Sequence, residues 1–390
     1  MYTGNYQLKK LRPDFPMSSS YLSRISGRWS YERLPTSYGD RPPPRARCSQ
    51  QARILIALVL VMSTSAIAWV WGVRYLRSGS YSPLDNYQNL NSLPVTTDPT
   101  TPPSPRSRRA VVSSLYSDDF AIAVGVLGYS ARSANTTARL LLPYLSDRVS
   151  SKALCIVRAA GWEPYAVPLI HPPHDGQGIH RRFRDQYTKL NIWALDKTMG
   201  GIDSAVYLDA DTLVRHNFDE LFDSPFGFAA VPDVYGAGDT RGFSITFNAG
   251  VLAFRPSSAV LADMLKKMEV AQYPLKQAEQ AFLNLYFGGT ALRLPYIYNA
   301  NLAIKTRSPA LWDRLAPEMR IVHYTMTKPF ILDGRNKGPS ILSPEEIEMA
   351  MQQSERRDGG FYQEEVGWWR AAYRRMMGDI GQVIRECYEL

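Results

Sequence analysis

The stretch Ala205-Val206-Tyr207-Leu208-Asp209-Ala210-Asp211-Thr212-Leu213-Val214 constrains the fold most. Its first four residues read as a short buried strand, and Asp209 and Asp211 follow where that strand would stop. In open α/β sheets the ligand crevice lies outside the carboxyl ends of the strands. Two carboxylates at i and i+2 there suit a hard divalent cation carrying a phosphorylated substrate. A bare Asp-x-Asp also arises by chance about once in a chain this long, so its neighbours must decide.

Those neighbours alternate. Phe120 to Leu127 reads as a first buried strand ending at Gly128-Tyr129-Ser130, Arg139 to Leu145 as a helix, and Ala153 to Val157 and Ala166 to Leu169 as two more strands. Strand, helix, strand is the pattern of a parallel α/β sheet. Arg181 to Leu195 carries Leu190, Trp193 and Ala194 at helical spacing, so its cations meet either a phosphate or plain solvent. Phe218 to Phe222 reads as a short helix and Ala229 to Asp233 as a strand with an acidic end. In Phe247 to Pro256 a small-residue turn precedes a strand. Ala249 and Gly250 would let a ligand approach the backbone while the Asn248 amide donates and accepts; a plain turn is the other reading. Val260 to Met268 and Ala278 to Tyr286 are amphipathic helices, the second with Glu279-Gln280 near its start. Arg320 to Phe330 is an apolar strand delivering His323 and then Lys328. A strand-end His is often only structural, but an acidic pair lacking a third ligand favours a ligand role. Pro344 to Leu390 is helical, with Trp368, Trp369 and Tyr373 as a packing stripe.

Charge separates the N-terminal part from the rest. Residues 1 to 77 hold 12 Lys or Arg against 3 acidic residues, and the whole chain has 45 against 36, so the other residues balance at 33 against 33. The folded part therefore implies no basic stripe for nucleic acid. Ile54 to Val73 runs 20 residues without a charge, about the length a helix needs to cross a bilayer. Trp69 and Trp71 fit an interfacial belt, and the arginines preceding the segment outnumber Arg74 and Arg77 after it. The expected organisation is a disordered basic cytoplasmic tail over 1–53, a membrane helix over 54–73 and a Pro, Ser and Thr-rich stem over 74–117. A catalytic domain over 118–335 and a helical extension over 336–390 complete it, a type II arrangement of the secretory pathway or Golgi. Cys48, Cys155 and Cys387 are too few for a disulfide framework, and Cys155 reads as a core thiol. Asn135-Thr136-Thr137 is an acceptor sequon if the domain is lumenal, and otherwise a helix cap.

In one order the chain carries Arg182-Phe183, Thr188-Lys189-Leu190, Leu208 to Val214, Asn248-Ala249-Gly250-Val251, Glu279-Gln280, Leu294-Pro295-Tyr296 with Tyr298-Asn299, His323 and Lys328-Pro329-Phe330. Together these resemble glycosyltransferase family 8, the glycogenin and galactinol synthase group. The resemblance implies an α/β, A-type glycosyltransferase fold, Rossmann-like, with a mostly parallel central sheet and flanking helices. It implies a retaining transfer of a hexose from a UDP-sugar to a glycan, lipid, polyol or protein acceptor. Asp209, Asp211 and His323 would bind Mn²⁺ or another divalent cation, and Lys328 and Arg182 the diphosphate. Lys189, Asn248, Ala249 and Gly250 would hold the donor, Gln280, Glu279 and Asp233 would serve catalysis, and Leu127, Gly128 and Tyr129 would seat uracil and ribose. The chain departs from glycogenin in having Glu279 for Asp, in a His323-to-Lys328 spacing one residue shorter, and in a first strand without a Thr-rich ending followed by Tyr. It also lacks a Tyr between Tyr298 and Tyr324, where glycogenin has its self-glucosylated residue. A nucleotidyltransferase would want a Gly-rich phosphate loop that Gly125 to Tyr129 does not supply, and a binding protein of the same fold would not need the acidic pair.

Overall fold

The computed structural model describes residues 49–77, 105–236, 243–334 and 340–390. Most of the expected tail and stem, and the boundary at 335, lie outside them. Helix α1, Gln50–Arg77, falls in one compact unit, and the other described elements form a second. Along α1 the apolar side chains from Ile54 to Trp71 are exposed.

The second unit is built on a seven-stranded sheet. Its strands are β1 (Arg109–Val112), β2 (Arg139–Tyr144), β3 (Glu163–Ala166), β4 (Ser204–Leu208), β6 (Phe228–Val234), β7 (Phe243–Phe254) and β8 (Leu292–Arg293), in the order β3-β2-β1-β4-β7-β6-β8. All neighbours are parallel except those of β7, which runs antiparallel to both β4 and β6. From β1 the chain winds outward to β2 and β3, then returns to place β4 on the other side. The order thus reverses between β1 and β4, where α/β sheets open a crevice. A second sheet holds β5 (Thr212–Val214), β9 (Ala300–Asn301) and β10 (Ile321–His323), in the order β5-β10-β9.

Both faces of the large sheet are covered. Val111, Leu140, Leu142, Val206 and Leu208 pack into one core, while their neighbours Ala110, Val112, Leu141, Ala205 and Tyr207 pack into another. Strands buried on both faces read as unbroken apolar runs.

That property explains the first two of three reversals of the sequence reading. Phe120 to Leu127 is no strand: α2 spans Ala121–Ser133, with ten of its thirteen residues buried. A helix apolar all round shows no 3.6-residue stripe and so mimics a buried strand. Arg139 to Leu145 is the converse case, a leucine-rich segment whose Pro143 opposes a helix interior and which burial on both faces makes β2. Ala153 to Val157 lies in α3, Ser151–Ala159, whose start is fixed by the Ser150 hydroxyl accepting from Ala153 N at 3.2 Å. The true first strand, β1, falls inside the segment expected to be stem. Asn248-Ala249-Gly250 is likewise no turn before a strand but part of β7.

Helices α4 (Ser258–Met268) and α5 (Ala278–Phe287) follow the expected periodicity. Near the C-terminus α6 (Pro344–Arg356) and α7 (Gln363–Tyr388) join the core that buries α2, through Ile347, Trp369, Met376 and Ile384. Cys155 is not a free thiol: it forms a disulfide with Cys387, tying α3 to α7 across 232 residues of chain. Two half-cystines so far apart in sequence give no spacing signal.

Candidate active site

Strand register assembles the site. Asp209 N donates to Gly250 O at 2.8 Å, continuing the β4–β7 pairing one residue past the strand end. In the small sheet His323 pairs with Thr212, and Tyr324 N donates to Asp211 O at 2.9 Å, so β10 brings its last residue beside the acidic pair. One ligand atom each from Asp209, Asp211 and His323 lies within 4.8 Å of the others. His323 Nε2 stands 3.1 Å from Asp211 Oδ1 and 4.0 Å from Asp209 Oδ2. Gly250 provides the seat for the imidazole, since a Cβ there would lie 2.2 Å from His323 Cε1.

Two ammonium groups balance the carboxylates. Lys328 Nζ is ion-paired with Asp211, despite the short spacing from His323. Lys189 Nζ lies 3.1 Å from Asp209 Oδ1 and 2.9 Å from Glu279 Oε1, and donates to Ala249 O at 3.2 Å. Burial alone would pull Lys189 down, but Asp209 and Glu279 outweigh it and hold the ammonium charged. Burial would likewise raise Asp211, yet Lys328 and His323 keep it well below the usual carboxylate range. The second oxygen of Glu279 is buried and accepts no hydrogen bond from another residue among those described.

Beside this cluster Asp233 organises two amides. Its carboxylate accepts from Gln280 Nε2 at 3.0 Å and from Asn248 Nδ2 at 3.3 Å, while Gln280 Oε1 accepts from Ala249 N at 2.9 Å. Burial pushes Asp233 above its ordinary value, against those donors. The fold therefore brings together Asp209, Asp211, His323, Lys328, Lys189, Glu279, Asn248, Ala249, Gly250, Asp233 and Gln280.

Four expected residues stand elsewhere. Leu127 is core, Gly128 packs so closely on Trp162 that a Cβ would lie 2.2 Å from its Nε1, and the Tyr129 hydroxyl donates to Asp379 of α7. All three follow from α2 being a helix. Arg182 is exposed with its guanidinium 4.4 Å from the centre of the Phe183 ring, and none of its described contacts reaches the cluster.

The segment after β1 lies inside the expected stem, yet it reaches the site. Ser113-Ser114-Leu115-Tyr116 leaves the sheet at the point where strand order reverses. Ser114 Oγ lies 3.0 Å from the Tyr207 hydroxyl, which donates to Asp209 Oδ1 at 2.8 Å. Burial also pushes the Tyr116 phenol up, and Lys189, Glu279 and Asp209 are near enough to act on it. A β-branched pair followed by two hydroxyls and a Tyr was the available signal.

The family-wide sequence model described as Glycosyl transferase family 8 matches residues 111–330, more than half of the chain. The chain belongs to glycosyl transferase family 8. By class it is a glycosyltransferase, and its sheet, parallel apart from β7 and flanked by helices, is the A-type layout. Among its relatives, inositol phosphorylceramide glucuronosyltransferase 1 of Arabidopsis thaliana is 32% identical over 185 residues, 47% of this chain and 31% of that protein. Galactinol synthase 2 of Solanum lycopersicum is 30% identical over 262 residues, 58% of this chain and 72% of that one. The chain thus spans under a third of the first and under three quarters of the second. Of solved structures, the glycosyltransferase GlyE of Streptococcus pneumoniae TIGR4 superposes with a TM-score of 0.46 at 18% identity, covering 72% of this chain and 63% of that one.

Proposed function

We propose that the chain is a metal-dependent, retaining hexosyltransferase that takes its sugar from a UDP-sugar. The observation that carries this reading is the convergence of Asp209, Asp211 and His323 at the carboxyl end of β4, beside the reversal of strand order, in a member of family 8. Two carboxylate oxygens and one imidazole nitrogen suit Mn²⁺ better than Mg²⁺, which favours an all-oxygen shell. When bound, such a cation would offset the charge that grows on the departing nucleoside diphosphate.

The chain's own groups do the rest. Lys328, ion-paired with Asp211, would supply positive charge for the leaving diphosphate. Ser113 to Tyr116 seat the base and ribose in place of the segment in α2. Gln280 and Asp233 orient the donor sugar, and Glu279 holds the Lys189 ammonium beside them. The relatives named above, a glucuronosyltransferase and a galactinol synthase, differ in the reaction their names state, so the sugar and acceptor are left to experiment.

The test is UDP release by the detergent-solubilised full chain across a panel of UDP-sugars, with Mn²⁺ and then with a chelator. Release from one donor that stops on chelation is expected. Undiminished release in chelator would refute the metal assignment, and a chain that binds no Mn²⁺ would favour a non-catalytic sugar-binding role.

We further infer a type II anchor through residues 54–73, with the catalytic unit in the lumen of the secretory pathway. In α1 the Ser63 and Thr64 hydroxyls donate to the Leu60 carbonyl at 3.2 and 2.8 Å, which satisfies them without water as a bilayer requires. The Cys155–Cys387 disulfide fits an oxidising compartment. Asn135 is exposed just past the end of α2, with φ at 58°, so a glycan there meets no packing. Glycosidase treatment of the cell-expressed chain is expected to lower its mass, and the Asn135→Gln variant to show no shift. Protease digestion of the catalytic unit from outside sealed vesicles would reverse the topology.

A further inference from the structure

One backbone N–H fixes the donors and acceptors around His323. Gly250 N donates to Asn248 Oδ1 at 2.9 Å, which identifies that atom as the oxygen and turns Nδ2 to the Asp233 carboxylate. Toward Asn299, Asn248 therefore offers an acceptor, and the Asn299 atom 2.9 Å away is Nδ2. The Asn299 oxygen is then the atom 3.0 Å from His323 Nδ1. An amide oxygen accepts and does not donate, so Nδ1 carries a proton in each state of the ring. Asn299 and His323 are 1% and 4% exposed, which keeps water from taking the amide's place. Nε2, facing Asp209 and Asp211, is left as the nitrogen whose lone pair a cation there could take.

We propose that Asn299 is the positioning residue of the cation site, holding His323 in the Nδ1–H tautomer whose Nε2 lone pair points between Asp209 and Asp211. The proposal rests on the metal reading above. It places the anchor of the third ligand in a segment, Tyr296 to Asn301, that supplies none of the ligands. A partner on the far nitrogen of a ligating histidine fixes ring orientation and tautomer, and its loss costs about 10–100-fold in metal affinity. The chain Asp233–Asn248–Asn299–His323 also links a group assigned to the sugar with a group assigned to the cation.

The full chain in detergent, labelled with ¹⁵N-histidine, reports the tautomer directly. It has five histidines, and the His323 signals are those missing from a His323→Gln variant. Nδ1 is expected to be protonated both without cation and with Mg²⁺ or Zn²⁺, which leave the ring signals visible. Nε2 is expected to be unprotonated in the loaded form. Titration with Mn²⁺ is expected to show a loss of about 10–100-fold for Asn299→Leu, which removes the acceptor. Asn299→Asp, which keeps an acceptor on Nδ1 but sets an oxygen in place of the donor to Asn248 Oδ1, is expected to lose less affinity than Asn299→Leu without matching the parent. A parent Nδ1 without a proton, or an Asn299→Leu chain with parental Mn²⁺ affinity, would overturn the proposal. If the leucine variant fails to fold, the tautomer in the parent chain still decides. A parent that binds no cation would defeat the metal reading, and the Nδ1 proton would then be judged by itself.

Discussion

Asp211→Asn is expected to lower sugar transfer by about a thousandfold or more while the chain stays folded. A bound cation is worth several kcal/mol of charge stabilisation at a departing phosphate, and each ~1.4 kcal/mol is tenfold in rate. Asparagine keeps the shape and one acceptor but removes the charge that makes position 211 a ligand. The effect on folding has a definite sign. Lys328 and His323 hold the Asp211 carboxyl below its unfolded value, so the charged form adds stability at neutral pH that is lost progressively as pH falls from the unfolded value through the depressed one. The variant gives up that contribution. Lys328 is 30% exposed and can turn to solvent, so no ammonium is stranded and the loss stays near 1–2 kcal/mol. UDP release measured with saturating donor and Mn²⁺, beside a thermal melt, separates the two effects. Turnover within tenfold of the parent would show that Asp211 is no ligand.

The parts of the site legible in the sequence are those whose chemistry is local. Asp209 and Asp211 sit two residues apart at the end of a strand whose apolar run is unmistakable. Gln280 and Glu279 open an amphipathic helix, and His323 ends a strand; ordered spacing was enough to group them. What was not legible depends on burial from both sides. Ala121 to Ser133 and Arg139 to Tyr144 are each apolar without a period, so periodicity cannot tell helix from strand in either. Exchanging the two shifted the first strand by about ten residues and moved the base-binding assignment into α2. The Asn299 contact and the Cys155–Cys387 bond join residues far apart in sequence, and only the fold makes them neighbours.

The C-terminal helices, read from the sequence as a packing extension, support β10, and Lys305→Met should expose this. Glu365 on α7 is fully buried. Both its oxygens accept from Lys305 Nζ, at 2.7 and 2.9 Å, and one also accepts from Trp312 Nε1 at 2.8 Å. Its backbone carbonyl accepts from the Tyr324 hydroxyl at 2.7 Å, and Tyr324 follows His323. Removing the ammonium leaves a buried carboxylate with one N–H donor, which costs about 3–5 kcal/mol. For a unit of this size that lowers Tm by roughly 10 °C. Pairing Lys305→Met with Glu365→Leu removes both charges and should recover much of the loss, since replacing a buried pair by apolar side chains is often near neutral. If α7 holds β10 in place, Mn²⁺ affinity should fall in Lys305→Met and return in the double variant along with Tm. A melt within 1 °C of the parent would mean that Glu365 finds another partner and that the helix is a passive cover.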